Sequence, residues 1–331
     1  MSMVTSKRIF DAFANLNVLI IGDVMIDRYL TGRVDRISPE APVPIVALDH
    51  SDNRLGGAAN VALNIRALGA TPYLCSVIGD DDSADLFLRL LPERGLSERG
   101  ILRSARRPTT VKTRVMAGGQ QLLRVDQEIT RDLNEVDAQA LIGRVRELLD
   151  SRDIHVILFQ DYNKGNLSYN VIREIILEAV KRDILTAVDP KYDNFWTYKH
   201  VTLFKPNLKE IRAQLPGVEV DKASLRRAAE QIRKKLGNQY TVITLGDQGL
   251  YYDNNGDYGI LPTQPRSIAD VCGAGDTVIS IVALGLALGL DMSETALLAN
   301  LAGGQVCERI GVVPVDKVQL EREYEALKKE A

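Results

Sequence analysis

The chain has 331 residues, 45% of them hydrophobic and 26% charged, with a formal net charge of −3. That length is long for one domain but suits a single large α/β domain, and the charge excludes a general nucleic-acid binder, so an anionic ligand must be held by local basic groups. Three widely spaced cysteines (Cys75, Cys272, Cys307) and three scattered histidines (His50, His155, His200) argue against a disulfide framework, a zinc site and a histidine-based triad, and they fit a reducing cytoplasm.

Residues 1–17 are a short amphipathic stretch with Asp11 inside it, not a signal peptide. VLIIG (18–22) is the first predicted strand, followed by GDVMIDRY with Asp23 and Asp27. Residues 29–50 are extended, polar and contain three prolines. GGAANVALNIRALGA (56–70) is a helix, roughly 57–68, entered through two glycines. A strand at 72–78 and a helix at 82–93 follow, then a second polar segment, 109–126, read as a hairpin around Gly118-Gly119. The remaining strands are predicted at 155–160, 184–189, 201–205 and 241–246. The remaining helices are predicted at 134–150, 168–182, 207–214, 221–236, 276–289, 293–309 and 316–330. Near-continuous apolar strands separated by helices predict an α/β fold with a mostly parallel sheet covered on both faces, formed by a single domain over 1–331. The two polar segments read either as surface hairpins or as a small β-rich lid inserted in that core. The longest apolar run (278–290) contains glycines and is too short for a membrane span.

The chemistry gathers where strands end, which is where ligands collect in such sheets. QDYNKG supplies Asp161 and Lys164, VDPK supplies Asp189 and Lys191, KPNLKE supplies Asn207 and Glu210, and TLGDQG supplies Thr244, Gly246 and Gly249. DVCGAGDTVIS (270–280) puts Gly273, Ala274 and Gly275 before Asp276. If Asp276 opens a helix, the amides of 273–276 and the helix dipole make an anion hole, and Asp276 beside it is placed to take a proton from an attacking hydroxyl. The same residues also read as a helix cap after a glycine turn. N-x-x-E at Asn207–Glu210 is likewise either a capping box or a phosphate and magnesium site, with Glu210 reaching the metal through water. Gly57 and Asn60 suit close approach to a polyol. Neither a P-loop nor a dinucleotide fingerprint occurs, so nucleotide use requires another architecture.

Together these residues resemble the ribokinase-like (PfkB) family of sugar kinases. One signature runs from Gly56-Gly57 through Asn60 and Ala62 to Gly69 and Gly79; the other runs from Asp270 to Ser280 and departs from the family pattern at Ile281. The resemblance implies a ribokinase-like fold, ATP and magnesium as cofactors with a monovalent cation as a further expectation, and a homodimer formed through the lid. It implies Asp276 as base with 273–275 as anion hole. It also implies Asn207, Thr244, Gly246, Gly249, Asn300 and Gly303 at the nucleotide, Glu210 at magnesium, and Asp23, Asp27, Gly57 and Asn60 at sugar hydroxyls. Within the family, GDVMIDRYLTGRVDRISPEAPVPIV, VKTRVMAGGQQLLRVDQE, QDYNKG and VDPK are similar to kinases of D-glycero-β-D-manno-heptose 7-phosphate, with no H-x-G-H motif of a fused nucleotidyltransferase. That likeness implies phosphorylation of the anomeric hydroxyl to the 1,7-bisphosphate, on the route to ADP-heptose for lipopolysaccharide. Asp161 then joins the substrate site. A substrate that already carries a phosphate needs basic groups, and Lys112, Arg114, Arg124, Lys164 and Lys191 are the expected supply. Lys205 stands where these relatives often have Thr. A kinase for another sugar or a non-catalytic sensor are the alternatives, and the intact Asp276 turn speaks against the sensor.

Overall fold

The computed structural model describes residues 6–330, so residues 1–5 of the N-terminal stretch lie outside the described residues. The first half contains α1 (Ser6–Ala12), β1 (Asn17–Gly22), β2 (Val24–Ile37), β3 (Pro44–Gly57), α2 (Ala58–Ala67), β4 (Thr71–Ile78), α3 (Asp82–Glu93), β5 (Ile101–Arg103), β6 (Val111–Ala117), β7 (Gln120–Gln127) and α4 (Glu135–Ser151). The second contains β8 (Val156–Gln160), α5 (Tyr169–Lys181), β9 (Leu185–Asp189), β10 (Leu203–Phe204), α6 (Leu208–Gln214), α7 (Lys222–Leu236), β11 (Tyr240–Thr244), β12 (Leu250–Asp253), β13 (Tyr258–Leu261), α8 (Ala274–Ala287), α9 (Met292–Val306) and α10 (Lys317–Glu330).

Nine strands form one sheet in the order β13-β12-β11-β10-β9-β8-β1-β4-β5, parallel except for the antiparallel β11-β12-β13 edge. The central strands are apolar on both faces because helices cover both. In β1, Val18 and Ile20 enter one core while Leu19 and Ile21 enter the other; β8 divides Val156 and Leu158 from Ile157 and Phe159 in the same way. The first core lies under α2, α8 and α9, the second under α4, α5 and α7. Each fully buried Val, Leu or Ile contributes about 1.5–3 kcal/mol. From β1 the sheet grows one way through β4 and the other through β8. The strand order therefore reverses beside β1, which opens a crevice at the carboxyl ends of β1 and β8.

A second sheet of four strands, β3-β2-β6-β7, leaves the body at that crevice. Its strands run beyond the polar segments read from sequence. Burial decays along β2 from complete at Val24 to exposed near Ile37, so half the strand belongs to the body and half projects. Pro39 and Pro42 sit in the turn and Pro44 opens β3, where no ladder donor is lost. Gly118 and Gly119 make the β6–β7 turn at φ 57° and 78°.

Several boundaries differ from expectation for local reasons. The glycine pair leads into α2 as expected, with Gly57 its N-cap, but it also belongs to a strand. Gly56 and Gly57 end β3, because a Cβ on Gly56 would lie 2.0 Å from Asp27 Oδ2 and Gly57 has φ 61°. The expected 201–205 strand shrinks to Leu203–Phe204. The 241–246 strand ends at Thr244, where Gly246 (φ 67°) starts a 3-10 turn. The GAGD helix starts at Ala274 with Gly273 as its N-cap at φ 83°, which places Asp276 at the third helical position instead of the first. Among the described residues no helix is long and apolar enough to cross a membrane.

Candidate active site

Asp276 is 3% exposed at the start of α8, against the end of β8. Its Oδ2 accepts from Asn60 Nδ2 at 2.8 Å; its Oδ1 accepts from the Tyr162 hydroxyl at 2.6 Å and Gln160 Nε2 at 3.1 Å. Burial pushes its carboxyl up to about 6; the donors from Asn60 and Tyr162 and the nearby Lys205 oppose the rise, and Asp189 adds to it. Burial and then Asp276 hold the Tyr162 phenol well above its ordinary range, so it stays a neutral donor. Asn60 is oriented in turn by Asn64, whose Oδ1 takes Thr277 Oγ1 at 3.1 Å and Val315 N at 3.0 Å.

A buried ion pair borders the glycine turn. Lys205 (2% exposed) meets Asp189 Oδ1 at 3.1 Å, and Gln160 Nε2 bridges Asp189 Oδ2 to Asp276. A Cβ on Gly275 would sit 3.9 Å from both Lys205 Nζ and Asp189 Oδ2. An ammonium therefore lies beside the first amides of α8, which have no intrahelical acceptors. Lys191 pairs with Glu210 and sits 5.4 Å over the Tyr162 ring. Burial would depress its ammonium, but Asp189, Glu210 and Asp276 outweigh that and raise it. The capping box is present. Asn207 Oδ1 accepts Glu210 N and Glu210 Oε2 accepts Asn207 N, both at 2.9 Å, while the other carboxylate oxygen faces Lys191. Among the described residues no three His, Cys, Asp or Glu side chains converge as a metal cage.

A groove of about 820 Å³ opens beside this cluster. Asn207, Thr244, Gly246, Gly249, Asn300 and Gly303 all line it, with Ala274 and Gly275 at its inner end and Leu245, Ile268 and Val278 on its walls. Gly249 has φ 98° and a Cβ there would meet Leu261 O at 2.0 Å. Asn300 Nδ2 donates to Pro262 O at 2.7 Å and holds one wall.

The acceptor side departs more from the sequence reading. Asp23 is fully buried, and one loop uses its whole carboxylate: Oδ2 accepts Tyr162 N and Lys164 N at 2.9 and 3.0 Å, and Oδ1 accepts Asn166 N and Nδ2 at 3.0 and 3.1 Å. It positions the 161–166 loop and has no oxygen left for a sugar hydroxyl. Asp161 is also turned inward, to Asn163 N, Asn194 Nδ2 and the Tyr198 hydroxyl, and burial with Asp23 nearby pushes its carboxyl up to about 7. Asp27 does face the crevice, 3% exposed, with Arg114 Nη1 on its Oδ1 at 2.5 Å. The basic residues expected to be free are all paired. Lys112 and Lys164 converge on Glu128 at 2.8 and 2.7 Å, Arg124 is half exposed on Asp126, and Arg114 lies over Tyr29. Tyr162, Gln160, Asn64 and Glu128 were missed from sequence. All four nevertheless lie inside segments singled out above: Gln160 and Tyr162 in QDYNKG, Asn64 in GGAANVALNIRALGA and Glu128 at the end of VKTRVMAGGQQLLRVDQE.

A buried carboxylate at a helix start beside a groove of about 820 Å³, on a ribokinase-like α/β body, fits a phosphotransferase acting on a sugar hydroxyl. Residues 15–317 match the family described as pfkB family carbohydrate kinase, and the chain belongs to that family. It is similar to "Bifunctional protein HldE" of Methylobacillus flagellatus (40% identity, covering 93% of this chain and 63% of that protein). A protein of the same name from Wolinella succinogenes is 38% identical, covering 89% and 61%. The chain thus spans less than two thirds of these relatives' length. Among solved structures, phosphofructokinase-2 from Escherichia coli "in complex with substrates and products" aligns with a TM-score of 0.79 at 19% identity, covering 95% and 99% of the two chains. Arabidopsis thaliana ribokinase "complexed with Ribose and ATP" aligns with a TM-score of 0.70 at 15% identity, covering 93% and 98%. These two establish the fold alone.

Proposed function

We propose that the protein transfers the γ-phosphoryl group of ATP to the anomeric hydroxyl of D-glycero-β-D-manno-heptose 7-phosphate, giving the 1,7-bisphosphate that feeds ADP-heptose for lipopolysaccharide. The observation that carries the chemistry is Asp276: a buried carboxylate at about 6, held by neutral donors at the mouth of a helix N-terminus. The acceptor hydroxyl takes over one of its hydrogen bonds and loses its proton to it as the phosphoryl group arrives. The amides of 273–276 then hold the equatorial oxygens. Lys205 lies beside them and adds positive charge. Asp27, Gly57 and Asn60 hold sugar hydroxyls, and the 820 Å³ groove takes ATP. Magnesium, when bound, neutralises the phosphates. One carboxylate plus water and phosphate oxygens is its usual environment, and Glu210, with Asn207 beside it, fits that role where a protein cage does not. Among the described residues no donor set singles out a monovalent cation. Three free cysteines and an ATP substrate suit the cytoplasm.

The heptose assignment rests on the resemblance of the substrate segments and on similarity to the proteins named HldE. We read the second sheet as a lid that excludes water and pairs with the lid of a second copy. Its projecting half carries Ile37, Val43, Leu48, Leu123 and Val125, each more than half exposed. The test is ATP-dependent turnover of the heptose 7-phosphate beside fructose 6-phosphate, ribose and fructose, with Asp276→Asn as control. Turnover of the heptose phosphate alone, with a loss of roughly three orders of magnitude in the variant, is the expected result. Preference for another sugar overturns the substrate and leaves the chemistry; ATP binding without turnover of any sugar overturns both.

A further inference from the structure

A second cavity, about 510 Å³, borders the same 161–166 loop and is lined by Arg106, Arg107, Ile129, Arg131, Asp132 and Asn134 among others. Arg107 is the residue that points to a ligand. It is 7% exposed and donates a hydrogen bond to the Lys164 carbonyl, and among the described residues it makes no ion pair and its Nε has no acceptor. Burial lowers its affinity for a proton, yet a guanidinium stays charged in proteins. Asp23, Asp137 and Asp132 act on it through space, but among the described residues none pairs with it; a buried fork of donors without a paired carboxylate suits a phosphate, which takes two parallel hydrogen bonds from such a group. The lysines and arginines of the acceptor crevice differ in this respect, since each already faces an acid. The cavity's own acids do not spoil the fit. Asp137 is saturated by Ser104 Oγ, Asn134 Nδ2 and Arg106 Nη1 at 2.6, 2.6 and 3.0 Å. Asp132 makes no ion pair, and burial, Asp193 and Asp23 raise its carboxyl, so it opposes an anion less than a surface aspartate does.

We propose that this cavity seats the phosphomonoester the acceptor already carries, with Arg107 as its central ligand and Arg106 and Arg131 at its mouth. The inference rests on the sugar-phosphate reading above. The loop pinned by Asp23 joins the two ends of the acceptor: Tyr162 touches the base and Lys164 touches Arg107. Tyr162 and Lys164 are two residues apart in that loop, so one short segment links the base to Arg107. The test compares wild type, Arg107→Met, Arg131→Gln and Asp132→Asn with the heptose 7-phosphate and with the same heptose lacking its phosphate, and adds calorimetric titration with inorganic phosphate. Arg107→Met is expected to raise the acceptor KM about 30-fold or more, with the effect on that KM and not on kcat or the KM for ATP. Preference for the phosphorylated acceptor shrinks by the same factor. Arg131→Gln raises the acceptor KM severalfold, and Asp132→Asn lowers it and tightens inorganic phosphate. If Arg107→Met does not fold, the opposite signs of the other two variants carry the test. A wild type that prefers the phosphorylated acceptor, with acceptor KM unmoved in the variants, overturns this site and leaves the substrate reading intact. A wild type that turns over the dephosphorylated sugar equally well overturns the reading and the site with it.

Discussion

At Asp276 a helix start and three neutral side chains hold a buried carboxyl suited to the base role proposed for it. A carboxyl at its ordinary 3.8 would be a weak acceptor at neutral pH, and burial brings this one to about 6, nearer the operating range. Only the ionised form accepts the proton, so kcat/KM should be flat above about pH 7 and fall about tenfold per pH unit below about 6. Tyr162 donates to the ionised form and so holds the value down. Tyr162→Phe should therefore move the acid limb to higher pH, by about half a unit to one unit for one hydrogen bond. A pH profile from 4.5 to 8 reads this directly, and an unmoved limb would show that the phenol does not govern the base. Two of these partners, Asn60 and Asp276, stood out in the sequence because glycines frame them. Gln160 did not, although it opens QDYNKG, since a Gln ending an apolar strand does not show by itself which carboxylates it will bridge.

The 161–166 loop is the element on which both halves of the site depend. It has no regular structure, and its order comes from four donors converging on Asp23. Asp23→Asn keeps the shape but turns an acceptor into a donor facing N–H groups. It should cost about 2–4 kcal/mol and lower Tm by several degrees. Because the loop carries Tyr162 and Lys164, kcat should fall as well, although Asp23 touches no substrate. Faster hydrogen exchange at the amides of 162, 164 and 166 would identify the cause; a Tm within a degree of wild type would sink the idea. The α6 cap makes a different point. Asn207–Glu210 reads as a capping box or as a ligand site, and its geometry shows that a capping box leaves one carboxylate oxygen free to face Lys191. The two readings were never exclusive.

For the whole molecule, the open question is what covers the projecting sheet. Leu123 and Val125 stand two apart on β7 and so share a face. An exposed apolar strand face of this kind is ordinarily buried by a partner. Charging it with Leu123→Glu and Val125→Glu together should shift the protein from dimer to monomer in sedimentation, with the melting temperature of the α/β body little changed. Acceptor KM should rise with the loss of lid closure. A wild type that sediments as a monomer at micromolar concentration would end this reading.

The alternation of apolar strands with helices, the glycine turn before Asp276 and the groove-lining strand ends at Asn207, Thr244, Gly246 and Gly249 were legible in the chain alone, whereas Asn300 and Gly303 came only through the resemblance. Each of the legible features is written locally: in a period of two, in a positive φ that only glycine adopts readily, or in a strand end that must lie at the sheet's edge. The direction of individual charges was not legible. Asp23 and Asp27 are four residues apart, one between β1 and β2 and one inside β2, yet one is consumed by a loop and the other pairs with Arg114. Lys205, noted from sequence only as a departure from relatives, and Arg107, which drew no reading, are both buried, one paired with an acid and one not. Which partner a charged side chain meets depends on other segments of the chain, 87 residues away for Asp27 and Arg114 and 139 for Asp23 and Tyr162, and only the folded chain brings those segments within hydrogen-bond reach.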